Sequence, residues 1–375
     1  MPGLRPDVDP DGLLEYSVVY TDRVLNHMSK RFQQVMRDVS ATLKEVYGAR
    51  SAIIVPGSGS TGMESVARQF AGGKPCLIVR NGWFSYRWSQ IFEAGNIPSE
   101  TILLKARPVS DGSQAPFAPP PVWEVVEAIR KRRPGLVFAP HVETASGMML
   151  PDAYLDAVAE AVHAVGGLFV LDCIASGAMW VDMAALGVDV LISAPQKGWS
   201  GPPCGAFVML GAQARERIES TTSTSFAADL RKWLQIMETY EKGGHAYHAT
   251  PPTDALAKAV QAMRETRDWG LEKARSAQAE LGRRVRALLV SRGFPSVAAE
   301  GFQAPGVVVS YTDDPGIHSG SKFIAQGLQT AAGVPLMCDE PADFRSFRIG
   351  LFGLDKLQNI ERTVLRLDEA LGRIA

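Results

Sequence analysis

Residues 168–210, LFVLDCIASGAMWVDMAALGVDVLISAPQKGWSGPPCGAFVML, constrain this chain more than any other stretch. Two apolar runs of strand length, 168–171 and 188–192, each lead to a polar residue that burial alone would not select. The first closes on Asp172. The second passes through Ser193, Pro195 and Gln196 to Lys197, and a GWSGPP turn then opens a third strand over 206–210. In an open α/β sheet, ligands bind outside the carboxyl ends of the strands. A carboxylate and an amine delivered there by successive strands are candidates for one site. A lone lysine after a strand is ordinarily a solvated surface residue, but the stiff turn behind Lys197 and the acid one crossover upstream argue for a placed one.

The 375 residues, 46% of them hydrophobic, are ample for a large core and too many for one compact layer. An extended arm over 1–20, a large domain over 21–269 and a smaller one over 270–375 are expected. Lys and Arg number 39 against 40 for Asp and Glu, so nothing favours nucleic acid or an anionic membrane as partner. Cys76, Cys173, Cys204 and Cys338 are scattered without a CxxC or metal-ligand spacing. Reduced thiols, no resident metal and a soluble cytoplasmic protein are therefore expected. The Pro-rich start has no apolar signal core, and no run reaches membrane-spanning length.

Elsewhere the pattern alternates strand and helix. EYSVVY is the one strand-like piece of the arm, and 26–47 has helical spacing. SAIIVPGSGSTGMESVARQF reads as strand, glycine-rich turn and amphipathic helix. Such a turn, with the positive end of the helix behind it, makes an anion site; a plain tight turn fits the same letters. CLIVRNGWFSYRW repeats strand, turn and helix, and 121–132 and 152–165 are helical, with GLVFAP a strand between them. This βαβ cadence argues for a mostly parallel, doubly wound α/β sheet. A long helix over 255–293, broken near Gly270, leads to strands GVVVSY and FRIGLFG and to helices over 322–332 and 356–373.

A lysine to hold an aldehyde as a Schiff base, and an aspartate to keep a pyridine nitrogen protonated, are what pyridoxal 5′-phosphate requires. On SxxQK paired with VLDxIAS, the chain resembles the class V aminotransferases, in particular the alanine–glyoxylate and serine–pyruvate branch, from about residue 25 to the C-terminus. The resemblance implies fold type I: a mostly parallel seven-stranded sheet between helices, plus a smaller C-terminal α+β domain. It also implies cofactor contacts at Ser58, Gly59, Ser60, Phe84, Thr144, Asp172, Ile174, Gln196 and Lys197, with Lys197 and Asp172 catalytic. Phe84 falls where the family's NGxWGxR pattern, here NGWFSYR, stacks an aromatic ring on the pyridine. Trp83, Phe84 and Trp88 also suit plain helix packing. His141 and Glu143 look like a catalytic pair, but the resemblance makes them loop architecture.

Tyr247 and Thr250 match the family's YxxT, which reaches the phosphate of the neighbouring subunit's cofactor, so a homodimer with shared sites is implied. Arg348, opening RIGLFG, matches the family's carboxylate clamp, a task that suits a planar guanidinium; a surface strand arginine is the alternative. Three positions depart from the family: Ser60 where a relative has His, Ser85 in place of Gly, and GLLEYSVVYTDRVLNHMS where a GPGP-type segment usually lines the substrate pocket. Tyr16, Tyr20 and His27 then suit a pocket for something other than alanine and glyoxylate, with Tyr20 a substrate contact, while small amino donors remain the default. Amino transfer between a small amino acid and a 2-oxo acid is the expected activity. The alternatives are a lyase or cysteine desulfurase of the same fold type, or a non-catalytic cofactor-binding scaffold.

Overall fold

The computed structural model describes residues 5–374, so residues 1–4 of the expected arm and Ala375 lie outside it. Seven strands make the central sheet: β1 (Ser51–Pro56), β2 (Pro75–Arg80), β3 (Glu100–Lys105), β4 (Leu136–Pro140), β5 (Leu168–Asp172), β6 (Val190–Ser193) and β7 (Gly205–Leu210). Their order is β1-β7-β6-β5-β4-β2-β3, with β7 antiparallel to both neighbours and every other pairing parallel. Strands β4 to β7 are buried at every residue. A sheet covered on both faces needs such continuous apolar runs rather than alternation.

The covering helices are α1 (Lys30–Tyr47), α2 (Gly59–Phe70), α3 (Trp83–Gly95), α4 (Val122–Arg132), α5 (Asp152–Ala164), α6 (Leu230–Glu241) and α7 (Thr253–Trp269). Trp88 and Phe92 of α3 close on Phe138 of β4 at ring-centroid distances of 4.5 and 5.2 Å. Gly270, at φ 109°, breaks the long helical stretch where expected and separates α7 from α8 (Leu271–Ser291). Beyond it β8 (Val307–Tyr311), β9 (Ala331–Ala332) and β10 (Ser346–Gly350) form an antiparallel sheet in the order β8-β10-β9. It shares a core of its own with α8 and α9 (Ile360–Ile374), including Leu281, Val285, Phe347 and Leu371.

Four elements differ from the sequence reading. EYSVVY is not a strand, because Glu15 and the Ser17 hydroxyl take the amides of Ser17, Val19 and Tyr20 and compete with a ladder. The helix expected from 26 begins at Lys30, since Asn26 caps the Met28 amide and Ser29 is the true N-cap, accepting from Phe32. The helix expected over 322–332 covers only Ser321–Ala325; Gly327 at φ 77° turns the chain, and Ala331–Ala332 is the strand β9. The last helix is interrupted at Asn359, whose side chain bonds back to the Asp355 carbonyl.

Six strand ends of one polarity, with the start of β7 between them, form one edge of the sheet. Pro56 is opposite Gly205, Asp172 is opposite both Pro140 and Ile192, and Asp172 itself and the segments carrying Ser58, Phe84, Thr144 and Lys197 lie at that edge. Helix α2 lies close on β7: a Cβ on Gly62 would sit 2.4 Å from the Ala206 Cβ. Gly62→Ala therefore sets a helix-propensity gain of about 1 kcal/mol against an overpacking cost of about 1–3 kcal/mol. The clash wins because neither backbone can yield. A thermal melt should show Gly62→Ala destabilised, and Gly72→Ala, with nothing within 4 Å, unchanged.

Candidate active site

Lys197 sits in a turn braced from three sides. A Cβ on Gly198 would lie 2.1 Å from the Gly177 carbonyl oxygen, so the two backbones touch. Trp199 is fully buried with its ring 4.5 Å from that of Trp180. The Gly201 amide donates to the Pro195 carbonyl at 2.8 Å, and the Ser200 hydroxyl accepts from the Leu354 amide at 2.7 Å. From this turn the Lys197 ammonium reaches to 5.0 Å from the Phe352 ring centroid. It forms no ion pair among the described residues. Burial first, then Arg348 and Arg87, hold its pKa below the ordinary lysine value.

Asp172, at the end of β5, is 7% exposed. One carboxylate oxygen accepts from the Ile174 amide at 2.9 Å; the other takes no hydrogen bond from the described residues. Burial pushes its pKa up to about 7, with Glu143 adding to the rise and the Ile174 amide and Arg87 opposing it. Ile174 then packs on the start of α2, where a Cβ on Gly59 would be 2.6 Å from its Cδ1. Ser58 is the N-cap of α2 and pairs reciprocally with Thr61 in a capping box. The Gly59 and Ser60 amides donate to no protein acceptor among the described residues, and the helix dipole adds positive potential there.

Glu143, fully buried, explains how α3 is docked. Its carboxylate accepts from the Phe84 amide (3.2 Å), the Ser85 amide (2.8 Å), the Ser85 hydroxyl (2.7 Å) and the Ala145 amide (3.0 Å). It therefore caps α3 from a distant loop, in the place a side chain on Gly82 would occupy: a Cβ there would be 2.6 Å from its Cγ. His141 turns instead to the Ser176 hydroxyl at 2.7 Å, and burial, with Arg275, lowers its pKa to about 4. The two residues are loop architecture, not an acid–base pair. Thr144, next to Glu143, is buried.

Phe84 stands under two guanidinium groups. The Arg87 Cζ is 4.8 Å and the Arg348 Cζ 5.5 Å from its ring centroid. Arg348 uses Nε on the Ala332 carbonyl at 2.7 Å and has no ion pair among the described residues. Arg87, the arginine of NGWFSYR, and Phe352 were given no site role from the sequence. The signal for Arg87 was available, since it lies three residues after Phe84 on one helix face; for Phe352 there was none beyond its place in RIGLFG.

Tyr247, Thr250 and Tyr20 form a separate group. Tyr247 and Thr250 share a 2.9 Å hydrogen bond, the Tyr247 ring lies 5.5 Å from His27, and His27 lies 5.5 Å from Tyr20. The Tyr20 hydroxyl donates to the Pro251 carbonyl at 3.2 Å. None of these contacts involves Lys197, Asp172 or Arg348. No group of three or more His, Cys, Asp or Glu among the described residues is placed to hold a metal. Among the described residues no helix is long and apolar enough to cross a membrane.

The expected cofactor fits what the chain leaves open. Asp172 is a buried carboxylate with a free oxygen and no cation on it, the complement of a protonated ring nitrogen. The Gln196 Oε1 is buried without a partner beside Lys197, and the amides at the start of α2 await an anion.

A family model, aminotransferase class-V, matches residues 13–309. The chain is 26% identical over 287 residues to a protein of Synechococcus named soluble hydrogenase, small subunit, covering 76% of this chain and 71% of that one. It is 27% identical over 255 residues to alanine–glyoxylate aminotransferase 1 of Saccharomyces cerevisiae, covering 64% of this chain and 63% of the yeast enzyme. The crystal structure of a subgroup IV aspartate aminotransferase from Thermus thermophilus superposes with a TM-score of 0.77 at 23% identity, covering 94% of this chain and 93% of that one. That likeness carries the fold. With the family model spanning most of its length, the chain belongs to the class-V aminotransferases, pyridoxal 5′-phosphate-dependent transaminases.

Proposed function

We propose that this transaminase moves an amino group from a small amino acid, of the alanine or serine kind, to a 2-oxo acid such as glyoxylate or pyruvate, in two half-reactions at one site. The observation that carries the reading is the Lys197 amine: braced, half-buried and without a carboxylate partner among the described residues. Burial and two neighbouring guanidinium groups favour its neutral form, which is the form that acts as nucleophile and base. The named activity of the yeast relative supports the substrate class.

Ser58, Gly59, Ser60, Thr144, Ile174 and Gln196 hold the cofactor, and Phe84 stacks on its ring. Pyridoxal 5′-phosphate, when bound, supplies the electron sink for the pair left on the substrate Cα. Asp172 keeps its charge against the ring nitrogen and so holds the proton there. Arg348 fixes the substrate carboxylate through its two free nitrogens, orienting the Cα–H bond. Lys197 Nζ takes the Cα proton and returns it. A desulfurase-like reading fits less well: the cysteines are all buried, and burial pushes the thiols of Cys76 and Cys338 to about 12 and of Cys204 to about 11, leaving no ready thiolate.

Two features of organisation belong to the same reading. The small part of the chain begins at Gly270, where helix, core and sheet all change. Tyr247 and Thr250 complete the partner's site in a two-fold dimer, with Tyr20 beside them. The support is an exposed apolar surface next to that loop: Leu13, Leu14, Tyr16 and Val18 are 68–102% exposed and Tyr247 is half-exposed. The unpaired thiols suit a cytoplasmic setting.

Adding alanine or serine to the purified enzyme should shift its visible absorption, and glyoxylate or pyruvate should reverse the shift. A spectrum indifferent to every small donor would refute the substrate class. In Arg348→Lys, loss of a bidentate contact of about 1.5–3 kcal/mol should raise the donor KM about tenfold to a hundredfold. Cofactor affinity should stay the same; parallel loss of both would make Arg348 structural.

Stability of the cofactor-free protein should report on Asp172. Its carboxyl titrates near 3.8 unfolded and at about 7 folded, so the burial penalty is absent below pH 4 and complete above 7. Asp172→Asn should therefore melt higher than wild type at pH 8, with the gap closing toward pH 4.5. A gap independent of pH would show that the buried charge carries no cost.

The dimer reading is checked by mixing two inactive variants, Lys197→Ala and Tyr247→Phe with Thr250→Ala, unfolded and refolded together. In a mixed dimer both lesions fall in one site and the other is intact. Random pairing makes half the dimers mixed, so about a quarter of all sites regain activity. No recovery would confine the loop to its own chain.

A further inference from the structure

Arg87 is a cation without a counter-ion at the edge where the site is built. One turn after Phe84 on α3, it donates from Nη1 to the Ser60 hydroxyl at 2.8 Å, and its Cζ stands 4.8 Å from the Phe84 ring centroid. It makes no other hydrogen bond and no ion pair among the described residues. A guanidinium carries five donors in a planar fork, and stacking on a ring leaves the in-plane N–H edges free. Because Ser60 accepts from Arg87, its own O–H is available to donate elsewhere. The Gly59 and Ser60 amides at the same helix start are open as well.

Charge sharpens the point. Arg87, Arg348 and Lys197 are mutually close enough that both guanidinium groups disfavour the Lys197 ammonium. The carboxylates facing them, Asp172 and Glu143, are both pushed toward their neutral forms by burial. Three cations are thus weakly compensated, and anions entering the pocket must supply the balance. Two guanidinium groups and two anionic ends divide by contact. Arg348 belongs to β10 and bonds to the Ala332 carbonyl of β9; Arg87 is bonded to Ser60, at the start of α2.

We infer that Arg87 is the charged partner of the cofactor's phosphate, gripping it jointly with the Ser60 hydroxyl and the first amides of α2. This rests on the reading that the α2 start is the phosphate end of the site. Arg348 is then left wholly to the substrate carboxylate. Phe84 acquires a second task, holding the Arg87 plane while it stacks on the cofactor ring.

The test compares binding of pyridoxal 5′-phosphate and of pyridoxal, which lacks the phosphate, to cofactor-free enzyme by tryptophan fluorescence. Arg87→Gln should raise the Kd for pyridoxal 5′-phosphate about tenfold to a hundredfold, as loss of charge-assisted hydrogen bonds does, and leave that for pyridoxal unchanged. Arg87→Lys should recover part of the loss, and inorganic phosphate should protect wild type, not Arg87→Gln, against thermal unfolding. If Arg87→Gln does not fold, Ser60→Ala gives the same selective loss, smaller in size. Equal weakening of both ligands would overturn the inference in favour of a ring-holding role through Phe84. Unchanged binding with a raised donor KM would overturn it in favour of a substrate contact. Ser58→Ala separates the two readings: if it discriminates between the ligands and Arg87→Gln does not, only the Arg87 assignment falls. If neither discriminates, the phosphate end lies elsewhere.

Discussion

The backbone contact between Gly198 and Gly177 is the constraint on which the site depends. Lys197 precedes one glycine, and the loop leaving Asp172 carries the other. A side chain at Gly198 would place its Cβ 2.1 Å from a carbonyl oxygen, a distance no adjustment of rotamers relieves. The two loops therefore share one fixed spacing, and the amine is set relative to the carboxylate by main chain rather than by flexible side chains. Trp199 behind the turn and Ser200 in front of it, the latter held at φ 56° and bonded to the Leu354 amide, tie the same turn to the core and to the short helix Leu354–Gln358 that follows the smaller sheet. Preorganisation of this kind is what lets a reactive group act without reorganising at the moment of reaction.

Around that fixed pair the charges are arranged in tension. Asp172 is buried without a cation, and three cations stand without carboxylate partners, Arg87 and Arg348 at the Phe84 ring and Lys197 at the Phe352 ring. Buried polar groups usually find partners within the protein, so a cluster that does not is shaped for something it binds. Glu143 marks the contrast. It is as deeply buried as Asp172, yet its carboxylate is satisfied by three amides and a hydroxyl, and its work is to hold the first turn of α3, and with it Phe84 and Arg87, against the loop of Thr144. One carboxylate is closed by the fold and the other is left open by it.

The sequence by itself determined the central sheet and the two polar residues, Asp172 and Lys197, that close or follow two of its strands. Apolar runs of strand length are local signals, and so is the polar residue that ends each of them; Asp172 and Lys197 are legible for that reason. The break at Gly270 is equally local, since a glycine at positive φ interrupts a helix wherever it occurs. Local effects decided against the strand in EYSVVY and the helix over 322–332, and these were misread because the Ser17 hydroxyl acts by taking backbone amides and Gly327 by its positive φ, neither of which periodicity registers. Only the tertiary structure brought Arg348 and Arg87 to the same ring, turned Glu143 into a cap for a helix 58 residues earlier, and set Tyr20 with Tyr247 apart from Lys197. Those relations join residues distant in the chain, and their distances follow from how strands order themselves in a sheet, which composition and spacing do not encode.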